Sequence, residues 1–389
     1  MKIYHAVESY FPSVGGMQEV VRQLSERMVF LGHEVTVLTR FHTERNFTEL
    51  NGVKIIQFNI EGNPFNPVSP EDHRYIEFLL QLNGDVITFF AAQQWATNFA
   101  LPHLKQIKLK KVSVPTGYSG LFRDEFRDYF KQMQHWIHDY DMNVYLSNEY
   151  RDINFARDNG VSKIILIPNG ASKVEFEHAP SIDIRKIFGI PSHHKILLHV
   201  GSYTGRKGHK EAIQLFLNSK LKNCTLFMIG NNTSYFKKRS IFKYPGLLFK
   251  WFFSFFGSNQ IILTETDRKT TVAAYFQSDL FFFPSQVECS PIVLYEAAAA
   301  GLPFLCTDVG NAVEIAKWTG SGEIMTTVKD KNGFVFPKFE KASEQLRLIL
   351  MDESRRKQFS ISGRKAWQEK FTWEAIADQY IQLYSDLLK

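Results

Sequence analysis

Two carboxylates, Glu288 and Glu296, lie eight residues apart around Cys289-Ser290-Pro291-Ile292-Val293-Leu294-Tyr295. The apolar run Phe281-Phe282-Phe283 reads as a strand that delivers Glu288 into a loop. A helix then carries Glu296 in its early turns. At that separation the acids suit contact with different parts of one ligand rather than sharing of one proton. Carboxylates accept hydrogen bonds from sugar and ribose hydroxyls, and amides of the stretch Ser290, Pro291, Ile292 and Val293 can face a phosphate at the head of a helix. The plainer reading is a surface acid plus a helix acid that favours the dipole. The residues alone leave both open.

A second constellation is Gly201-Ser202-Tyr203-Thr204-Gly205-Arg206-Lys207-Gly208, directly after the apolar run 195–200. Cations at a strand-to-helix turn suit the charge that a departing diphosphate develops, which points to Lys207 and Arg206, with Gly201 and Ser202 opening the turn. A solvated basic turn is the alternative. A third is Gly15-Gly16 ahead of a helical pattern, where glycines permit close backbone approach and the helix start offers amides to a phosphate. A structural turn would use the same residues.

The elements that must position these groups alternate. Strand-like runs near 2–7, 34–39, 53–58, 85–90, 111–114, 143–146 and 163–167 are interleaved with helical spacing over 17–31, 93–107, 122–140 and 148–158. The alternation pauses after Pro168-Asn169-Gly170, and a polar stretch to about 190 reads as a linker. A second series runs through 195–200, 224–229, 259–263, 279–283 and 303–306. The expected fold class is α/β, with two Rossmann-like doubly wound domains facing a central cleft, 1–170 and 171–372, and a last amphipathic helix, 373–389, packing back on the first. Such sheets bind ligands at the carboxyl ends of their strands, where all three constellations lie.

Composition narrows the partners. At 389 residues two domains are expected, and 44% hydrophobic with 22% charged residues is a globular balance. The formal charge of +6 comes without zinc-finger spacing or a basic helical repeat, so no nucleic-acid partner is expected. Cys224, Cys289 and Cys306 are too scattered for a disulfide framework or metal knuckle, which suggests a reducing, cytoplasmic setting. The first residues lack the apolar stretch of a signal peptide, and no run of 18 apolar residues occurs.

Taken together these residues resemble glycosyltransferase family 4, retaining enzymes of the GT-B fold. The Glu-x7-Glu spacing of Glu288 and Glu296, the alanine helix with Gly301-Leu302-Pro303 after it, Gly15-Gly16, Pro168-Asn169-Gly170 and Phe371-Thr372-Trp373-Glu374 follow the family's order. The resemblance implies transfer of a hexose-type sugar from a nucleotide diphosphate sugar, UDP first and GDP next, to a glycan or lipid-linked acceptor. Glu296 would hold the ribose hydroxyls and Glu288 the transferred sugar. Lys207 and Arg206 would bind the diphosphate, helped by amides of Gly16 and of 290–293, with no metal or other cofactor.

Two departures stand out. Ser202 occupies a place where many relatives carry arginine, and Pro115-Thr116-Gly117-Tyr118 stands where many present a histidine. Thr116 and Tyr118 are therefore the acceptor-side candidates. These departures keep a catalytically degenerate GT-B partner subunit in view, beside a GT-B sugar-nucleotide epimerase.

Residues 235–256 hold five cations and ten aromatics with no acid, a composition suited to peripheral contact with an anionic membrane. A packed helical insertion is the alternative. The run 121–136 has a similar mixture, but its spacing and its acids fit an ordinary packed helix.

Overall fold

The computed structural model describes residues 1–63, 66–68, 71–231 and 257–389. By contact the chain divides into Met1–Asn169 with Trp373–Lys389, and Gly170–Thr372.

In the first unit, β1 (Lys2–Ala6), β2 (Glu34–Arg40), β3 (Glu49–Leu50), β4 (Val53–Phe58), β7 (Val86–Phe90), β8 (Lys110–Val114), β9 (Met142–Tyr145) and β10 (Ile164–Leu166) form one sheet in the order β10-β9-β8-β7-β1-β2-β4-β3. All pairings are parallel except β3 with β4. A small antiparallel hairpin, β5 (Glu61–Asn63) with β6 (Asn66–Val68), stands apart. Strands such as β7 are buried along their whole length, as expected when helices cover both faces of a parallel sheet.

The loop after β1 is tied down by a residue that carries no sequence signal. Arg45 is buried and donates to the carbonyls of Tyr10 (2.8 Å), Phe11 (2.6 Å) and Arg40 (2.8 Å), and to Gln57 Oε1 (2.8 Å). Its guanidinium thereby fixes the chain that leads to Gly15 and the helix Gly16–Phe30.

Within the same unit the helix Trp373–Leu388 packs on Gly16–Phe30. Arg27 donates twice to Glu374 Oε1 (3.0 and 2.8 Å), and Tyr384 and Thr88 hydroxyls pair at 2.6 Å in the interior.

In the second unit, β11 (Lys195–Val200), β12 (Cys224–Ile229), β13 (Gln260–Thr264), β14 (Leu280–Phe283), β15 (Phe304–Cys306) and β16 (Gly322–Ile324) form a fully parallel sheet in the order β13-β12-β11-β14-β15-β16. A hairpin of β17 (Thr327–Lys329) and β18 (Val335–Pro337) follows. The chain enters and leaves this unit side by side, since Ala171 N–H donates to Phe371 O at 2.9 Å and Trp367 Nε1 to Ala171 O at 3.0 Å.

Three expectations need correction. The polar stretch read as a linker folds into the second unit: the short helices Lys173–Phe176 and Ile184–Phe188 bury Phe176, Ile184 and, just beyond, Ile190 in its core. Widely spaced anchors of that kind leave no periodicity to read. The helix expected over 93–107 is only Trp95–Asn98 followed by a 3-10 turn, Leu101–Gln106, because Pro102 cannot supply an i−4 hydrogen bond. The helix expected over 122–140 is Arg127–Trp136 flanked by 3-10 turns; it buries Tyr129, Phe130 and Met133 and leaves Phe122 exposed. Residues 235–256 lie outside the described residues. Among the described residues, no helix is long and apolar enough to cross a membrane.

Candidate functional site

Strand order determines which loops meet. In the second unit the chain runs outward from β11 to β12 and β13, then returns to the other side of β11 with β14. The carboxyl ends of β11 and β14 are thus the topological switch point, where open α/β sheets bind ligands. The loop after β11 carries Arg206 and Lys207, and the loop after β14 carries Glu288. Sequence reasoning named these residues separately; the sheet makes the two loops neighbours.

Lys207 Nζ donates to both oxygens of Glu288, at 2.7 and 2.8 Å, and Ser285 Oγ donates to Glu288 Oε1 at 2.7 Å. Two glycines make the approach possible. Gly208 caps the helix His209–Asn218 in the left-handed region (φ 74°), and a Cβ there would collide with the Pro284 carbonyl and lie 2.9 Å from Ser285 N. Gly310 (φ 55°) meets the Cys289 carbonyl in the same manner, and Asn311 N–H donates to that carbonyl at 2.8 Å. Both flanks of the 284–291 loop are therefore set by backbone packing.

Beneath the cations sit two neutral imidazoles. His199 Nδ1 donates to Phe282 O (2.9 Å) and His209 Nε2 to Gly201 O (3.0 Å), with ring centroids 4.6 Å apart. Burial, with Lys207 adding to it, pushes His199 down to about 4; burial and His199 lower His209 as well. Both rings are uncharged at neutral pH and lock the end of β11 without competing for anions.

Arg206 takes a different direction. Its guanidinium carbon lies 3.9 Å from the centroid of Phe334, and Nη1 donates to Gln286 Oε1 at 3.2 Å. Gln286 is held by Glu211 (2.9 Å) and by the amide of Val335 on its carbonyl (2.9 Å). Lys207, not Arg206, is the cation placed on Glu288. Ser202 is half-buried beside Gly201, and its carbonyl accepts from Thr204 N–H at 2.7 Å.

Glu296 is the fifth residue of the helix Ile292–Ala299 and is buried. Arg268 Nη2 donates to its Oε1 at 2.6 Å and Tyr275 OH to its Oε2 at 2.9 Å. Neither partner was singled out from sequence. Both lie on the helix Arg268–Gln277, whose cap Asp267 accepts from Thr270 N–H at 2.7 Å. Ahead of Glu296, Pro291 caps its helix and has no N–H, so the amide donors of that stretch are those of Ser290, Ile292 and Val293.

In the first unit, Gly15 is extended and Gly16 opens the helix after β1. That sheet has its own switch point between β1 and β7, so Gly15-Gly16 lies at the position its topology favours for a ligand. Thr116, Gly117 and Tyr118 all have positive φ (55°, 103° and 38°). Thr116 is half-buried, but the Tyr118 ring sits in the core, edge-on to Phe130 (5.2 Å) and Phe155 (5.4 Å). The expectation that its side chain lines an acceptor surface is corrected accordingly: the left-handed backbone turns the ring inward.

Residues 14–173 match the Glycosyltransferase Family 4 model and residues 181–366 the Glycosyl transferases group 1 model. An uncharacterised glycosyltransferase of Methanocaldococcus jannaschii is 24% identical over 99% of this chain and 98% of its own. The GDP-mannose:cellobiosyl-diphosphopolyprenol alpha-mannosyltransferase of Xanthomonas oryzae is 23% identical, covering 100% of this chain and 97% of its own. Anabaena HepE, solved with UDP and glucose, superposes with a TM-score of 0.75 at 14% identity, over 99% of this chain and 100% of that one. The chain is a GT-B-fold glycosyltransferase, related to both matched families, and moves a sugar from a nucleotide-sugar donor to an acceptor.

Proposed function

We propose that the chain is a retaining hexosyltransferase of the family 4 type, using a nucleoside-diphosphate hexose and a glycan or lipid-linked acceptor in surface polysaccharide or glycolipid assembly. The Lys207–Glu288 pair at the switch point carries the proposal. In the reaction, the bond from the anomeric carbon to the diphosphate breaks and the acceptor oxygen bonds on the same face. The acceptor proton passes to the departing phosphate oxygen. Lys207 leaves Glu288 for the diphosphate and meets the charge developing there, while Glu288 turns to the hydroxyls of the transferred sugar. Glu296 receives the ribose hydroxyls, and the amides of Ser290, Ile292 and Val293 serve the phosphates. Arg206, stacked on Phe334, supports the loop and the diphosphate's outer charge.

UDP in the HepE structure and GDP-mannose in the Xanthomonas enzyme's name support testing both bases. A thermal-shift panel of UDP-glucose, UDP-galactose, UDP-N-acetylglucosamine and GDP-mannose is expected to give one donor that raises the melting temperature. At a hundredfold over Kd the stabilisation is about 2.7 kcal/mol. No shift with any member would count against the donor reading. Nucleotide release only with acceptor separates a transferase from an epimerase or an inert subunit, and the product's anomeric configuration tests retention.

A lipid-linked acceptor accords with residues 235–256, whose cations and aromatics suit an anionic lipid surface. Replacing Lys237, Lys238 and Arg239 with glutamine is expected to weaken binding to phosphatidylglycerol vesicles, with a reduced dependence on salt. Unchanged binding would leave the segment as a packed insertion.

A further inference from the structure

We infer that Arg268 and Tyr275 are positioning residues that fix the Glu296 carboxylate for a vicinal diol, so that ribose recognition is set by the helix Arg268–Gln277 as well as by Glu296. The inference rests on the reading of Glu296 as the ribose acceptor.

Arg268 and Tyr275 are seven residues apart, close to two helical turns, so both side chains leave the same helix face. Each takes one oxygen of Glu296. A carboxylate has about four lone-pair directions, so both oxygens keep acceptor capacity for hydroxyl donors.

Neither partner is loosely held. Arg268 also donates through Nε and Nη2 to the two oxygens of Glu175, at 3.1 and 2.7 Å, and its guanidinium carbon lies 5.6 Å from the Phe176 ring centroid. Glu175 is placed by a short helix whose cap, Ser172, accepts from its amide. Tyr275 is fully buried, stacked on Phe281 at 5.3 Å and edge-on to Phe176 at 5.8 Å. With the ring fixed by packing, its hydroxyl has one place to be. Glu296 is thus clamped on both oxygens by groups that are themselves fixed, and its remaining acceptor directions are set before a nucleotide arrives.

The test is calorimetric titration of the 389-residue chain with UDP and 2′-deoxy-UDP, and in a parallel arm with GDP and 2′-deoxy-GDP. The wild type is expected to favour the ribonucleotide by about tenfold or more, the scale of a hydrogen bond to a charged group. Tyr275→Phe removes one hydroxyl and keeps the ring; it is expected to cut that preference by roughly threefold to tenfold while deoxynucleotide affinity stays within about twofold. Arg268→Gln should act in the same direction, and Arg268→Lys should restore part of the preference by returning the charge. Melting curves check that each variant folds, and the two side chains provide independent routes should one variant fail.

A wild-type ribose preference that survives both Tyr275→Phe and Arg268→Gln overturns the inference and leaves Glu296 as the ribose acceptor. A wild type that binds ribo- and deoxynucleotide equally, or binds neither base, sinks the reading of Glu296 itself and the inference with it. Wild-type data alone report that second failure, so the two are distinguishable.

Discussion

Replacing Lys207 with alanine is expected to lower turnover by about 10²- to 10³-fold, the loss seen when one charge-stabilising donor is removed from a preorganised site. That corresponds to about 2.7–4 kcal/mol of transition-state stabilisation. The ammonium is held against Glu288 at 2.7 Å, about a third exposed, with a carboxylate that is only 10% exposed. In the proposed reaction it exchanges this carboxylate for the diphosphate across a short distance. Donor affinity should fall far less, by roughly tenfold or below, because the ground-state diphosphate can also be met by backbone amides, while the extra charge of the leaving group cannot. Lys207→Arg should recover part of the rate; a guanidinium keeps the charge but not the compact shape. Single-turnover rates with saturating donor provide the measurement. Turnover within about threefold of wild type would remove Lys207 from the chemistry.

How much of this site could be read from sequence depended on whether a residue works through its own spacing or through its neighbours. Glu288, Glu296 and Lys207 follow apolar strands in a repeating βα pattern, so their positions at strand ends were legible. Their roles were less so: residue type and spacing left Glu288 and Glu296 as balanced alternatives and favoured an anion site at Lys207, and the family resemblance supplied the rest of the reading. The two sheets were legible because their strands, buried on both faces, form runs such as Leu280–Phe283.

What remained illegible depends on tertiary contact. Arg268 and Tyr275 look like ordinary helix residues until Glu296 is seen between them. Arg45 resembles a surface cation in a polar loop, yet it is buried against carbonyls from another part of the chain. Tyr118 offered the right chemistry for an acceptor surface, but a run of positive φ angles sends its ring into the core. Arg206, adjacent to Lys207 in sequence, diverges because Phe334 offers a ring face that no local pattern announces.

Replacing Gly208 with alanine is expected to do disproportionate damage for a single methyl group. The residue has φ 74°, and its Cα faces the Pro284 carbonyl and the amide of Ser285 with no room for a Cβ. The left-handed conformation costs an L-residue about 1–2 kcal/mol. Overpacking against backbone adds about 1–3 kcal/mol. The sum, about 2–5 kcal/mol, should lower the melting temperature of the second unit by about 5–15 °C. The obstructing atoms are main chain and cannot swing aside, so relief requires the loop after β11 to part from the loop after β14. Those loops carry Lys207 and Glu288, so the backbones that position the pair shift apart and turnover should fall by about 10²-fold, the cost of an ångström-scale misplacement. Gly205→Ala is the control. Gly205 also has positive φ (85°), but a Cβ there would meet nothing within 4 Å. It should show only the conformational cost of about 1–2 kcal/mol and nearly normal turnover. If the two variants behave alike in melting and in rate, close approach of the two loops is not what assembles the site.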